Sequence, residues 1–132
     1  MTRQTFRRAA ALGAVLLGSA ATQAASDPLP LLGALEPGRW ELRDGSTSLG
    51  ALCLGDPGQL VQVQHAGLTC ARALLASDRR SITVRYTCPG TGFGQTNILV
   101  ETPRLVQIDS QGVANGVPFQ VRAEARKTGA CR

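Results

Sequence analysis

The sequence is short of the residues on which catalysis and metal binding most often depend. Its 132 residues include one histidine, one tryptophan, one tyrosine and one methionine, and aromatic residues make up 4% of the chain. The four cysteines are separated by 16, 17 and 42 residues, so there is no CxxC pair of the kind that holds zinc. No nucleophile motif such as GxSxG accompanies the single histidine. The sequence therefore predicts no enzymatic activity, no metal site and no cofactor.

Long apolar runs are also scarce, and the one present lies at the start of the chain. Arg3, Arg7 and Arg8 precede a small and apolar run over residues 9–21, and residues 22–24 then place small residues at the two positions that a signal peptidase reads. This pattern predicts a signal peptide over residues 1–24 and a periplasmic location for the secreted chain. The run is too short to span a bilayer. Since no cysteine stands at the cleavage point, we expect no lipid anchor, and we expect no membrane span.

Excess positive charge is small once the signal peptide is set aside. The whole chain has 14 basic and 9 acidic residues and a net charge of +5. Loss of Arg3, Arg7 and Arg8 leaves 11 basic residues and a net charge of +2. Such a surface lacks the concentrated positive charge of a nucleic-acid-binding domain, so we expect no nucleic acid partner.

The cysteines predict a covalent framework. Cys53, Cys70, Cys88 and Cys131 all follow the signal peptide, and an even number of cysteines in a secreted chain predicts two disulfides. Four cysteines allow three pairings. We favour Cys53–Cys70 with Cys88–Cys131, because the first bond closes a short loop; a Cys70–Cys88 bond would contradict this choice.

Alternation of apolar and polar residues predicts that most of the chain forms β-strands. Residues 25–38, rich in proline and glycine, are expected to form an irregular leader, and residues 39–132 a single domain. The predicted strands cover residues 39–43, 49–54, 71–76, 82–88, 97–101, 105–109 and 119–126. Asn115-Gly116 predicts a tight turn before the last strand. No strand–helix–strand alternation follows Cys70, which excludes a doubly wound parallel sheet. The sequence thus predicts an α+β fold, mainly β: an antiparallel meander sheet of about six or seven strands with one short helix, held by disulfides.

One segment is predicted to be the helix. Asp56 is placed to accept from free amides as the N-cap, and Pro57 suits the first helical position. The alternative is a strand, because Val61 and Val63 alternate with glutamines. We expect a helix that ends near His65. The histidine side chain is then expected to interact with the last helical carbonyls rather than to serve as a catalytic base.

Two groups of residues are candidates for binding a ligand or partner. Gly92, Phe93 and Gly94 predict an exposed aromatic residue in a flexible or bulged connection, which suits a binding loop or a loop folded over the core. The second group is a row of outward-facing arginines interleaved with Glu41 and Glu124: Arg39, Arg43, Arg85, Arg122 and Arg126. It has two interpretations, a solvated sheet face with cross-strand ion pairs or a surface for anionic lipid or polysaccharide.

Several short motifs occur together along the chain. Residues 35–41 read Leu-Glu-Pro-Gly-Arg-Trp-Glu, and residues 86–90 read Tyr-Thr-Cys-Pro-Gly. The set also contains Leu52-Cys53, Asp56-Pro57, Cys70, Gly92-Phe93-Gly94 and Gly129-Ala130-Cys131. In these motifs, over about residues 35–132, the chain resembles the domain of unknown function 3617 family of bacterial periplasmic proteins. The resemblance implies a location in the cell envelope, and it implies no established activity and no catalytic residues.

Three functions remain open at this point. We favour a non-enzymatic binding or interaction module, whose partner is an envelope protein or a small ligand. The first alternative is a carrier or sensor of a small apolar ligand held between the helix and the curved sheet. The second alternative is an uncharacterised hydrolase.

Overall fold

The computed structural model describes residues 29–132, and the predicted signal peptide lies outside this range. Within it, seven antiparallel strands form one sheet. The strands are β1 (Gly38–Asp44), β2 (Thr47–Leu54), β3 (Ala71–Ser77), β4 (Ser81–Cys88), β5 (Gly92–Thr102), β6 (Leu105–Ala114) and β7 (Val117–Gly129). Two 3₁₀ helices, η1 (Leu32–Ala34) and η2 (Pro57–His65), accompany the sheet. The predicted mainly β, antiparallel fold is confirmed.

The strand order shows how a hairpin and a meander combine into this sheet. Strands β1 and β2 form the hairpin, and β3 to β7 follow one another as the meander. The last strand then pairs with the first, which gives the order β2-β1-β7-β6-β5-β4-β3. The predicted Asn115-Gly116 turn joins β6 to β7, and both residues have positive φ (50° and 79°), as this tight turn requires.

One face of the sheet carries the hydrophobic core. On β4, alternate residues are buried as predicted, and their neighbours face outward. On β1, Trp40 and Leu42 are buried in the same way. The fully buried members with the largest side chains include Trp40, Tyr86, Leu60, Ile82 and Ile98. Because η2 contributes Leu60 and Val61 to this cluster, the helix and the sheet share a single core.

The segment before β1 also reaches the core. The described part of the predicted irregular leader contains the three-residue helix η1. Leu32 and Leu35 of this segment are buried against the core cluster. Three residues are too few to show a helical period in the sequence, so the pattern missed this turn.

The motif at the start of β1 holds this strand against β7. The Glu36 carboxylate accepts a hydrogen bond from Lys127 Nζ (2.9 Å). Trp40 is fully buried, and its indole N–H donates to the carbonyl oxygen of Glu36 (3.0 Å). Gly38 has a φ of +144°, and a Cβ there would lie 2.5 Å from the carbonyl oxygen of Gly129. Only glycine fits this approach, so the motif has a structural role.

The predicted helix is present, and the strand alternative is wrong. Asp56 caps it as expected, since Oδ1 accepts from the backbone N–H of Gly58 (2.9 Å). The helix is of the 3₁₀ type and is interrupted at Gln62, whose φ of −123° and ψ of 43° are not helical. The β-branched Val61 and Val63 flank this kink, and such residues have low helix propensity. The segment is therefore two short turns rather than one regular helix.

The predicted disulfide pairing is wrong. The bonds are Cys53–Cys131, with a Cα–Cα distance of 5.6 Å, and Cys70–Cys88, with a distance of 4.3 Å. In the antiparallel β3–β4 register, Ala71 lies opposite Thr87. Cys70, which precedes Ala71, therefore lies opposite Cys88, which follows Thr87.

The other bond crosses β1. Arg39 pairs with Cys53 on one side and with Gly129 on the other. The two residues after Gly129 then carry Cys131 over β1 to Cys53. Strand pairing, rather than the length of the closed loop, decides both bonds.

Non-reducing peptide mapping checks this framework. We expect linked peptides for Cys53–Cys131 and Cys70–Cys88, and a Cys53–Cys70 peptide would contradict the structure. The first bond joins residues 78 apart in sequence and the second joins residues 18 apart. In the chain-entropy model, replacing the first pair with alanine lowers the free energy of unfolding by about 4.5 kcal/mol and replacing the second lowers it by about 3 kcal/mol.

Glu36 makes the stability of the fold sensitive to acid. The hydrogen bond from Lys127, with the positive charges of Lys127 and Arg104, lowers the pKa of Glu36 below its ordinary value of 4.5. The contribution of ionised Glu36 to the free energy of unfolding is therefore complete above pH 4.5, and it is lost as the pH falls through the pKa of the folded state. Glu36→Gln should flatten the pH dependence of the free energy of unfolding below pH 4.5. Glu101→Gln is the control, because this exposed carboxylate accepts from the neutral Gln107 amide (3.1 Å) and should leave the profile unchanged. A wild-type profile for Glu36→Gln would contradict the assignment.

Candidate functional site

A cleft of about 650 Å³ opens between the edge strand β2 and helix η2. This volume is typical of small-molecule sites. Apolar side chains from both walls line it: Leu42, Leu49, Leu52, Val63 and Leu68. Polar side chains also line it: Asp56, Gln59, Gln62 and Arg72. The cleft therefore combines an apolar surface with a small set of polar groups.

Three of the polar groups form one hydrogen-bonded cluster. Gln62 is buried, and its Nε2 donates to the carbonyl oxygens of His65 (3.2 Å) and Leu68 (2.7 Å). Its Oε1 accepts from Nε (3.2 Å) and Nη2 (2.9 Å) of Arg72. Arg72 Nη1 lies 3.3 Å from Oδ2 of Asp56. These contacts hold the guanidinium and the amide in fixed positions beside the cleft.

No motif in the sequence predicts this cluster, but the sequence contains one signal for it. Arg72 stands opposite Tyr86 in the β3–β4 register, at an inward position of the alternation. A charged residue at an inward position needs a partner when it is buried. Gly58 makes room for it, since a Cβ at Gly58 would overlap the Arg72 guanidinium.

A second polar network lies beneath η2 and is closed to solvent. His65 Nδ1 is 2.9 Å from the Tyr86 hydroxyl, and the two rings meet edge to face with centroids 5.3 Å apart. The hydroxyls of Thr96 and Ser110 are 2.7 Å apart, and Thr96 donates to the carbonyl oxygen of Val61 in η2. Burial raises the pKa of Tyr86 above its ordinary value of 10.0. A hydrogen bond with Ser110 lowers the pKa, but its effect is smaller than that of burial. The network attaches η2 to β4, β5 and β6.

The predicted interaction of His65 with the last helical carbonyls is wrong. The side chain turns into the core, where its ring meets Phe119 as well as Tyr86. The carbonyl oxygen of His65 instead accepts from the Gln62 amide. Within residues 29–132, His65 Nε2 has no hydrogen-bond partner, and it faces Gly92. The residue is 4% exposed, so the ring is held away from solvent.

Gly92, Phe93 and Gly94 lie within strand β5, so the prediction that they form a loop is wrong. All three pair with β4 on one side and with β6 on the other. Phe93 is exposed (52%), as expected. Gly94 lies beneath the Tyr86 ring, and a Cβ there would be 2.6 Å from ring atoms. The glycine is present because the inward aromatic ring occupies its side-chain position.

The predicted arginine patch is divided by the strand order. Three of its members have ion pairs: Arg39 with Glu41 (3.6 Å), Arg122 with Asp109 (3.4 Å) and Arg126 with Glu124 (3.1 Å). Arg122 of β7 pairs with Asp109 of β6. Each of the other two pairs joins residues of the same strand, β1 for Arg39 and β7 for Arg126. These arginines fit the solvated, ion-paired interpretation.

The remaining two arginines lie in separate grooves on the outward face. Arg43 lines a groove of about 560 Å³ together with Arg122. Arg85 lies on β4, which β5 and β6 separate from β7. It lines a groove of about 640 Å³ around Phe93. The structure therefore brings Arg85 together with Phe93 and separates it from the other arginines.

Neither a metal-binding cluster nor a similarity to a known protein assigns a site to the described part of the chain. Among residues 29–132, no three His, Cys, Asp or Glu side chains are grouped as a metal site would need. In the same range, no helix is long and apolar enough to cross a membrane. The chain matches no protein-family model, no curated protein and no solved structure.

Gly94→Ala tests the packing under η2. The added Cβ overlaps the Tyr86 ring, which is fixed by its contact with His65. We expect a decrease in the free energy of unfolding of about 1–3 kcal/mol, measured by urea denaturation. Gly33→Ala is the matched control, since a Cβ there meets nothing within 4 Å and should change little. Equal stability of the two variants would contradict this packing.

Proposed function

We propose that this protein is a non-enzymatic binding module of the bacterial cell envelope that carries or senses a small amphipathic ligand. The cleft between β2 and η2 is the observation that supports this function. Its volume of about 650 Å³ accommodates a small molecule. Its lining has an apolar part for the body of the ligand and hydrogen-bonding groups for a polar end.

The chemistry of the cleft narrows the ligand class. Leu49 and Leu68 are 46% and 42% exposed, so apolar surface is available to an incoming apolar chain. Asp56 and Arg72 place a negative and a positive group beside this surface. Because the two charges neutralise each other, a neutral or zwitterionic polar end suits the cleft better than a strongly charged one.

The envelope location rests on two further features. The two disulfides are of the kind that persists in oxidising compartments, and residues 1–24 have the pattern of a signal peptide. The resemblance to the domain of unknown function 3617 family agrees with a periplasmic location. Membership of that family stays a prediction.

A fluorescent apolar probe tests the cleft directly. We expect N-phenyl-1-naphthylamine to bind with increased fluorescence and to be displaced by a lysophosphatidylethanolamine with one acyl chain. The double variant Leu49→Ser/Leu68→Ser removes apolar surface from the cleft and should weaken probe binding by about tenfold. Native mass spectrometry of protein purified from the periplasm should show a bound small molecule.

Leu75→Ser is the matched control. Leu75 of β3 is exposed to the same extent as Leu49 (46%), and it is not among the residues that line the cleft. Its replacement should leave probe binding unchanged. Equal loss in both variants, or a co-purifying protein in place of a small molecule, would overturn the carrier proposal.

A further inference from the structure

The groove around Phe93 is a separate feature on the outward face of the sheet. It has a volume of about 640 Å³ and is formed by β4, β5, β6 and β7. None of the residues that line the cleft between β2 and η2 lines this groove. We propose that it is a second binding site, which takes an acidic oligosaccharide whose sugars carry carboxylates.

An apolar row forms one side of the groove. Phe93 of β5 is in register with Val113 of β6, and Val113 is in register with Pro118 of β7. Neighbouring strands are about 4.8 Å apart, so these side chains make a continuous apolar strip. A sugar ring has apolar C–H faces that pack on such an aromatic surface. The half-exposed Phe93 ring is therefore suited to stack on one sugar of a chain.

A row of amides runs parallel to the apolar row. Gln95 and Gln111 are in register with each other, two positions along their strands from Phe93 and Val113. Within the described residues, neither side-chain amide has a hydrogen-bond partner. Each amide offers both donors and an acceptor, which matches the paired donor and acceptor character of sugar hydroxyls.

Glycines form the strip between the two rows. Gly94 and Gly112 are in register, and a Cβ on Gly112 would overlap the backbone of Phe93 and Gly94. A side chain on Gly112 would therefore collide with the backbone of β5. Glycine in a strand often marks such a close approach or a bend, and here it lies at the floor of the groove.

The charge of the groove selects an acidic sugar. Arg85 is the only charged residue among the described residues that line the groove, and it faces Gln95 across the β4–β5 register. Within residues 29–132, Arg85 has no ion pair, in contrast to Arg39, Arg122 and Arg126. A guanidinium favours bidentate binding to a carboxylate. One such contact beside an aromatic platform fits a uronic acid better than an anionic membrane or a nucleic acid, which are bound through several basic groups.

Titration with oligogalacturonate of six sugars, a chain of uronic acids, tests the proposal by calorimetry. We expect oligogalacturonate to bind, and we expect it to bind more tightly than cellohexaose, a neutral chain of the same length. Phe93→Ala should weaken oligogalacturonate binding by about tenfold because the stacking surface is lost. Arg85→Gln should weaken it by about tenfold and abolish the preference over cellohexaose.

Two control variants separate this site from the rest of the surface. Val117→Ala removes an apolar side chain that is more exposed than Phe93 (64%) and does not line the groove. Leu49→Ser alters the cleft between β2 and η2. Both variants should bind oligogalacturonate as tightly as the wild type does. The test of the groove is therefore independent of whether the cleft between β2 and η2 binds a ligand.

Three outcomes would overturn the proposal. The first is no binding of oligogalacturonate, and the second is binding that Phe93→Ala and Arg85→Gln leave unchanged. The third is binding to phosphatidylglycerol vesicles, but not to oligogalacturonate, that requires the same two residues. That result would assign the surface to the membrane.

Discussion

The pairing of β1 with β7 is the interaction on which the rest of the structure depends. Without it, β1 and β2 would be an isolated hairpin, which is marginally stable in water. The pairing joins distant parts of the chain: Lys127 and Glu36 are 91 residues apart, and Thr128 and Arg39 are 89 apart. Closing such a loop has an entropic cost. Burial of Trp40, the Glu36–Lys127 contact and the Cys53–Cys131 bond act together at this junction to offset it.

The cleft is a consequence of this junction. Once β1 lies beside β7, β2 becomes an edge strand, and its residues 49–53 line one wall of the cleft. The opposite wall is η2, which is held by the Asp56 cap and by the Thr96 contact with Val61. The Gln62–Arg72–Asp56 cluster lies beside the cleft and is already hydrogen-bonded within the protein. A ligand would therefore meet polar groups that need little ordering, which reduces the entropic cost of binding.

Consecutive residues of strand β5 serve the core on one face of the sheet and the groove on the other face. Gly94 leaves space for the inward Tyr86 ring, and the adjacent Phe93 projects outward into the groove. Period-two alternation assigns neighbouring residues to opposite faces of the sheet. The glycine-flanked phenylalanine is thus explained by two requirements at once: a close approach within the core and an aromatic side chain on the surface.

The sequence by itself determined the class of fold, the faces of the strands, the Asn115-Gly116 turn and the Asp56 cap, because these depend on residues close together in the chain. The even number of cysteines predicted disulfides, and both are present. Only the tertiary structure decided the Cys53–Cys131 bond, the inward turn of His65 and the division of the arginines. The bond needs the contact between β1 and β7, the turn of His65 needs the packing of η2 against Tyr86 and Phe119, and the division of the arginines needs the strand order. Local patterns carry no information about a partner some 90 residues away, so the cleft beside β2 emerged only once the sheet was assembled.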